Sequence, residues 1–423
     1  MTPPEASTPA KTLTRARVGE LDTILAPSRG SGLIAVQILV RRGSADESPN
    51  EFGLGSFTAG MLRRGTATRS SSQIAFGLES IGAMMGHAAG ADSCTFSIQS
   101  TTADFPNALE IFFDCLRDPA FDSQELEIER FSTLAALRRI EDEKFEYTYR
   151  NYVKQIFAAH GYGHPSEGEI ENVEVITPDS CRAWHSKMYS PSNMLLVAAG
   201  DFDADEFVKV LERYGSGWNS TASSQARYDT PTGTPVLSSS LVLEKDLEQG
   251  FIVMGYRTPD VTHEDYPALR LACAALGEGF AGRLFTHLRD ERSLAYAVGS
   301  TLRAHRLGGH MILYIGTKPE SLPEAQEGLM AESEYLREHH LSPENLERAR
   351  QYVAGKYLMD HQSLSSRAGY FARWEDSGAG AEYDHMYLNE LRKVTADEIL
   401  EAARRWWIHP TVVVLKPKGK GQG

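Results

Sequence analysis

The tetrapeptide Ile176-Thr177-Pro178-Asp179 returns late in the chain as Val394-Thr395-Ala396-Asp397. In both, a Thr stands two residues before an Asp. A Thr hydroxyl can accept the free N–H groups of a first helical turn, and an early Asp complements the helix dipole, so each copy opens a helix. The first helix is expected to run to Tyr189 and the second to Trp407, each followed by an apolar strand, 194–199 and 412–415. One helix–strand exit written twice makes the organisation of the whole chain a question about repetition.

Working back from both copies, the repetition continues. The apolar run 33–40, closed by Arg41-Arg42-Gly43, matches 251–255, closed by Tyr256-Arg257-Thr258; each reads as a buried strand. Acidic turns follow (45–50 and 260–265), then helical patterns (54–62 and 269–276). Strands 95–100 and 311–316 lead through turns containing Pro106 and Pro323 into helices 108–117 and 325–337. Ser123-Gln124-Glu125-Leu126-Glu127 pairs with Ser342-Pro343-Glu344-Asn345-Leu346-Glu347. In each, a Ser is the expected N-cap of a long charged helix.

Two halves with one order of elements imply an internal duplication, with a unit too long for a solenoid repeat. Strands alternating with long helices define an α+β class. The expected fold is two homologous domains, each a mainly antiparallel sheet packed with long helices, together half of a clamshell. The expected boundaries are a disordered or extended segment 1–20, an N-terminal domain 21–214, a linker 215–235 rich in Ser, Thr, Gly and Pro, and a C-terminal domain 236–423.

Composition narrows the function classes. The 423 residues are enough for two or three domains, and the net charge of −14 opposes binding to a phosphate backbone. Cys94, Cys115, Cys181 and Cys273 lack C-x-x-C spacing, as expected of reduced thiols in a reducing compartment. The N-terminus has no apolar h-region and no run reaches membrane-span length, so a cytoplasmic protein without a membrane span is expected.

Few residues carry chemistry. Leu288-Arg289-Asp290-Glu291-Arg292-Ser293-Leu294-Ala295-Tyr296 sets a guanidinium and a phenol at a helix-to-strand transition. Both can donate hydrogen bonds to one carbonyl or oxyanion. His160 and His164, near Glu167 and Glu169, have ligand-like spacing, but Gly-Tyr-Gly-His-Pro reads as a structural loop. Glu141-Asp142-Glu143 reads as a solvated acid cluster at a helix end.

Several stretches carry a resemblance. They are Gly53-Leu54-Gly55-Ser56-Phe57-Thr58-Ala59-Gly60-Met61-Leu62 with Gly65-Thr66; His164-Pro165 with Gly168 and Ile176-Thr177; Tyr189-Ser190-Pro191-Ser192-Asn193-Met194 with Gly200-Asp201; and 282–296 with 314–319. With this order of elements, the chain resembles the pitrilysin/insulinase-like zinc metallopeptidases, in the short form of mitochondrial processing peptidase and its bacterial relatives. The family holds zinc with His-x-x-Glu-His on one helix. The two His share a helix face, and the Glu is general base to a zinc-bound water. Here those positions are Ser56, Ala59 and Gly60. The distal Glu ligand, expected near Ala136 and Leu137, is also missing, and the family's Asn-Ala turn is replaced near Gly86-His87.

By the same resemblance, Arg289 would hold a substrate backbone carbonyl and Tyr296 would donate to the tetrahedral oxyanion. The expectation is a metal-free subunit of a heterodimeric peptidase: no metal or other cofactor in this chain, zinc in a homologous partner, and an unfolded peptide as substrate. A core-type structural scaffold and a non-cleaving, chaperone-like homodimer are the alternatives.

Overall fold

The computed structural model describes residues 13–158, 160–215, 218 and 237–418. They form two compact units. The first is built on a six-stranded sheet of β1 (Thr14–Val18), β2 (Leu21–Pro27), β3 (Leu33–Val40), β4 (Met84–Ala89), β5 (Cys94–Thr101) and β6 (Met194–Gly200), in the order β1-β2-β6-β3-β5-β4. Only the β2–β6 pairing is parallel. The sequence Met-Leu-Leu-Val-Ala-Ala-Gly of β6 is buried throughout, as a central strand requires, whereas β5 alternates buried and half-buried residues.

The second unit has β7 (Ser239–Lys245), β8 (Gly250–Thr258), β9 (Ala297–His305), β10 (Gly308–Thr317) and β11 (Thr411–Pro417), in the order β7-β11-β8-β10-β9. Its single parallel pairing is β7–β11. Leaving out β1, the two sheets have the same order and the same strand polarity. Smaller features repeat too. Thr177 Oγ1 accepts from Ser180 N at 3.1 Å, and Thr395 Oγ1 from Glu398 N at 3.2 Å. The Arg130 guanidinium donates to the Val173 and Ile176 carbonyls, and Arg350 donates to that of Val394. The mixed α/β class and the duplicated two-sheet architecture are as expected.

The unit boundaries differ from the contiguous domains 21–214 and 236–423. The first unit comprises Met1–Leu134, Ser166–Arg227 and Asp360–His385; the second takes Ala135–Pro165, Tyr228–Met359 and Met386–Gly423. Helix Leu364–Ser377 covers β3 and β6, its Ala368, Phe371 and Ala372 packing on Leu39, Leu195 and Val197. Its counterpart, helix Lys144–Phe157, covers β8 and β11, where Arg257 Nε donates to Ile156 O at 2.8 Å. The physical reason is the duplication itself. Equivalent apolar helix faces fit equivalent sheets, and periodicity reports that a face is apolar without saying which sheet it covers.

Local chemistry sets the remaining details. Of the segment 1–20, expected to be disordered or extended, the described residues include an extended, paired strand, β1, tied down where Arg15 forks onto Glu375 and Glu382 at 2.7–3.1 Å. The long helix Ser123–Asp142 is capped by Asp122, whose Oδ1 accepts from Gln124 N and Glu125 N, and Ser123 lies inside it. In the second half Ser342 does cap, accepting from Asn345 N. The expected linker 215–235, apart from Gly215 and Trp218, lies outside the described residues. No helix among the described residues is long and apolar enough to cross a membrane.

Candidate functional site

In the first unit, the helix Leu54–Met61 occupies the metal-helix position. Ser56 is half-buried, while Ala59 and Gly60 are buried. None of the three offers an imidazole or carboxylate. The space where a Gly60 side chain would begin is taken: a Cβ there would overlap the Glu129 carboxylate. Glu129 is held by Arg64, with Nε 2.9 Å and Nη2 2.8 Å from Oε2, and the Arg64 guanidinium also lies 3.9 Å from Glu125. Glu125 accepts in turn from Ser71 Oγ. The Glu129 carboxylate, paired with Arg64, therefore stands where a residue 60 side chain would begin, and Ser56, Ala59 and Gly60 offer zinc no ligand. His87, on β4, stacks on Phe96; burial, then Arg63, lower its pKa and favour the neutral ring.

Chemistry at the other metal-like positions is structural. His160 Nδ1 accepts from Tyr162 N, capping the turn Gly161–Gly163, and its ring packs on Tyr162. Ala136 is exposed and Leu137 is buried. The four cysteines are buried and unbridged; burial pushes the thiols of Cys94, Cys115 and Cys273 up to about 12 and that of Cys181 up to about 11, far from a reactive thiolate.

In the second unit, the segment carrying Arg289 winds wider than an α-helix over Phe285–Glu291, a π-type geometry frequent at functional sites. It closes with Leu294 N donating to Leu288 O at 2.8 Å and turns through Ser293 at φ 54° into β9. Arg289 is exposed; its guanidinium lies 4.8 Å from the Phe285 ring centre and has no hydrogen-bond or ion-pair partner among the described residues. Tyr296 is 44% exposed, its hydroxyl likewise without a partner among them. Its ring lies on Gly316, where a Cβ would meet the phenol end of the ring, and its N–H donates to Gly316 O at 3.0 Å. A glycine there lets the phenol sit in this place. Partial burial raises the Tyr296 pKa, so the phenol keeps its proton and donates at neutral pH.

The two donors thus sit on one short segment, each with unused hydrogen-bonding capacity. Sequence reading missed the Arg64–Glu129 pair, as well as a carboxylate, Glu332, that binds the Arg289 segment. Both join residues far apart in the chain, and neither carries a local signal beyond its charge.

Comparison with known proteins gives the family. A family model described as insulinase (peptidase family M16) matches residues 25–168, and one described as peptidase M16 inactive domain matches 176–353. An uncharacterized zinc protease of Rickettsia bellii is 26% identical over 379 residues, covering 88% of this chain and 89% of that protein. The uncharacterized zinc protease YmxG of Bacillus subtilis is 22% identical over 388 residues, 91% of this chain and 93% of the relative. Among solved structures, a peptidase M16 inactive domain from Pseudomonas fluorescens superimposes with a TM-score of 0.89 at 20% identity, over 96% of this chain and 98% of the other. A protease from Helicobacter pylori gives 0.87 at 19%, over 96% and 100%. The chain belongs to the M16, pitrilysin/insulinase-like metallopeptidase family, and it lacks that family's zinc motif.

The place of Glu129 has a consequence for engineering. The triple substitution Ser56→His, Ala59→Glu, Gly60→His is expected to leave zinc substoichiometric by elemental analysis after dialysis. It should also lower stability by about 1–3 kcal/mol, because the residue 60 side chain must displace Glu129. One tightly held zinc per chain in the triple variant would contradict this.

Proposed function

We propose that this chain is the metal-free subunit of a two-chain zinc peptidase. It supplies Arg289 and Tyr296 to a site whose zinc and general base belong to a homologous partner carrying His-x-x-Glu-His. The observation that carries the reading is a contrast. The metal positions carry no ligand and Glu129, paired with Arg64, stands where a residue 60 side chain would begin, while the two donors at the other motif stay exposed and unengaged among the described residues. Unengaged donors on an ordered segment are what stabilisation of a developing oxyanion requires, because nothing must be broken before they act.

In this reading the substrate is an unfolded peptide, held through its backbone. β4 and β9 end their sheets and leave edge N–H and C=O groups that an extended chain can pair with. Arg289 orients a backbone carbonyl and Tyr296 donates to the oxygen that gains charge. Alone, the chain binds no stoichiometric zinc and hydrolyses no peptide.

The test is a peptidase assay on this chain, on a metal-bearing homologue from the same organism, and on their mixture. Activity in the mixture alone supports the proposal, provided elemental analysis finds the zinc in the homologue. Full activity from the homologue alone, unchanged by adding this chain, would make the chain a scaffold or a non-cleaving binding protein instead.

A further inference from the structure

The wide helical segment that presents Arg289 rests on one face of helix Leu322–Glu338. Glu324, Gly328 and Glu332 recur every four residues and so share that face. Each meets a different part of the segment. Glu332 Oε2 accepts from Arg283 Nε at 2.8 Å, and Oε1 lies 2.7 Å from His287 Nδ1. At Gly328 the Leu288 side chain packs so closely that a Cβ would fall 2.6 Å from its Cδ2. Arg292 Nη2 donates to Glu324 at 2.7 Å. Arg283 also lies flat on Tyr335, 3.6 Å from the ring centre. Arg289, in the middle of the segment, takes no part in any of these contacts.

We propose that Glu332 is a positioning residue for Arg289: through Arg283 and His287 it pins the π-type winding of 285–291, so that Arg289 stays exposed with its guanidinium unused. This rests on Arg289 having the role assigned above. The physical ground is the winding. A π-type turn has poorer hydrogen bonding than an α-turn and persists where side chains outside it hold it. Relaxation by one residue toward ordinary α-helix would rotate every later side chain by about 100° around the axis. Arg283 and His287, one turn apart, are both locked to a single carboxylate ahead of Arg289; Leu288, against Gly328, and Arg292, on Glu324, fix the segment to the same helix face. Glu332 is 9% exposed and Arg283 is mostly buried, so that bond is largely shielded from water, while His287 remains partly exposed. A buried carboxylate between two donors adds little net stability, since desolvation offsets most of the attraction, yet it strongly selects one arrangement.

Two measurements decide it. In the isolated chain, Glu332→Gln keeps the side-chain shape but loses the charge and one acceptor. Amide hydrogen exchange across 284–292 should rise about tenfold, with the strands of the second unit unchanged. His287→Gln, which keeps the Arg283–Glu332 bond, should give a smaller rise at the same amides and covers the case in which the Glu332 variant does not fold. In the active mixture, Glu332→Gln should lower kcat/KM about tenfold where Arg289 is present and less than twofold where Arg289 is already Ala. Unchanged exchange at 284–292, or an equal loss in both backgrounds, overturns the proposal. If the wild-type mixture shows no peptidase activity, the subunit reading fails, and the exchange result still decides whether Glu332 holds the segment.

Discussion

Replacing Glu47 by Ala is expected to lower the stability of the first unit by about 4 kcal/mol, the largest single-site effect on folding among the positions described. Glu47 is 7% exposed, and its carboxyl caps the metal-position helix from outside: Oε2 accepts from Gly53 N at 2.8 Å and Oε1 from Gly55 N at 2.7 Å. That helix begins at Gly53, which has φ 94° and no side chain to cap with. The glycine is required, because its Cα region meets Gly168 so closely that a Cβ would lie 2.8 Å from Gly168 Cα. Removing the carboxyl leaves two buried N–H groups without acceptors, at about 1–3 kcal/mol each, plus a cavity beside Trp184. Urea denaturation of wild type and variant reads the difference; a change below about 1 kcal/mol would show that water replaces the carboxyl at no cost.

The same residue gives the protein an unusual pH response. Burial is the largest influence on Glu47 and outweighs the two N–H donors, pushing its carboxyl up to about 8. The folded state therefore keeps a proton that the unfolded state releases above its ordinary value, so this contribution is complete at low pH and falls as pH rises toward 8. His87, His185 and His310 act oppositely. Burial lowers their pKa values, so they destabilise the fold only below about 6.5, where the unfolded chain takes up protons. Between pH 6.5 and 8 the Glu47 contribution is thus unopposed by these histidines. Wild type should lose about 2 kcal/mol across that window. Glu47→Gln, which cannot ionise, should lose much less. Parallel curves for the two proteins would place the Glu47 pKa at its ordinary value.

Much of this architecture was legible in the sequence because it rests on local chemistry repeated twice. Thr177 and Thr395 cap as read, the apolar run of β6 is a central strand, and the sheets repeat in order and polarity. Where two neighbours were equally good caps, sequence could not choose: Asp122 displaces Ser123 by one residue. The exchange of 135–165 and 360–385 between units was hidden for a stronger reason. Two homologous sheets offer the same apolar face, so nothing in a helix's own pattern names its sheet. At the sites, absence was readable and replacement was not. Ser56, Ala59 and Gly60 show that ligands are missing, but Glu129 standing where a residue 60 side chain would begin depends on a helix far along the chain. Likewise the Arg289–Tyr296 spacing was visible, whereas Glu332, which fixes the segment's winding, is distant in sequence from both.

Tyr296→Phe in the proposed two-chain peptidase is expected to cut kcat by about 10²–10³, with KM changing little. The substitution deletes one oxygen. The ring keeps its seat on Gly316 and the backbone bond to Gly316 O, so assembly and folding should be unaffected. In the proposed role, what is lost is a donor that meets charge only as the tetrahedral oxyanion forms, and an interaction confined to the transition state appears in kcat and kcat/KM alike. Because partial burial raises the phenol's pKa, it is protonated throughout the neutral range, and the loss should not vary with pH there. Arg289→Ala should behave differently. A guanidinium that holds a substrate carbonyl also contributes in the ground state, so KM should rise as well. Arg289→Lys should restore little, since an ammonium has neither the planar fork nor the stacking surface that the guanidinium presents to Phe285. Equal rates for wild type and Tyr296→Phe at saturating substrate would remove the phenol from the chemistry. The unengaged hydroxyl would then be a surface group, and the chain's contribution would be to architecture alone.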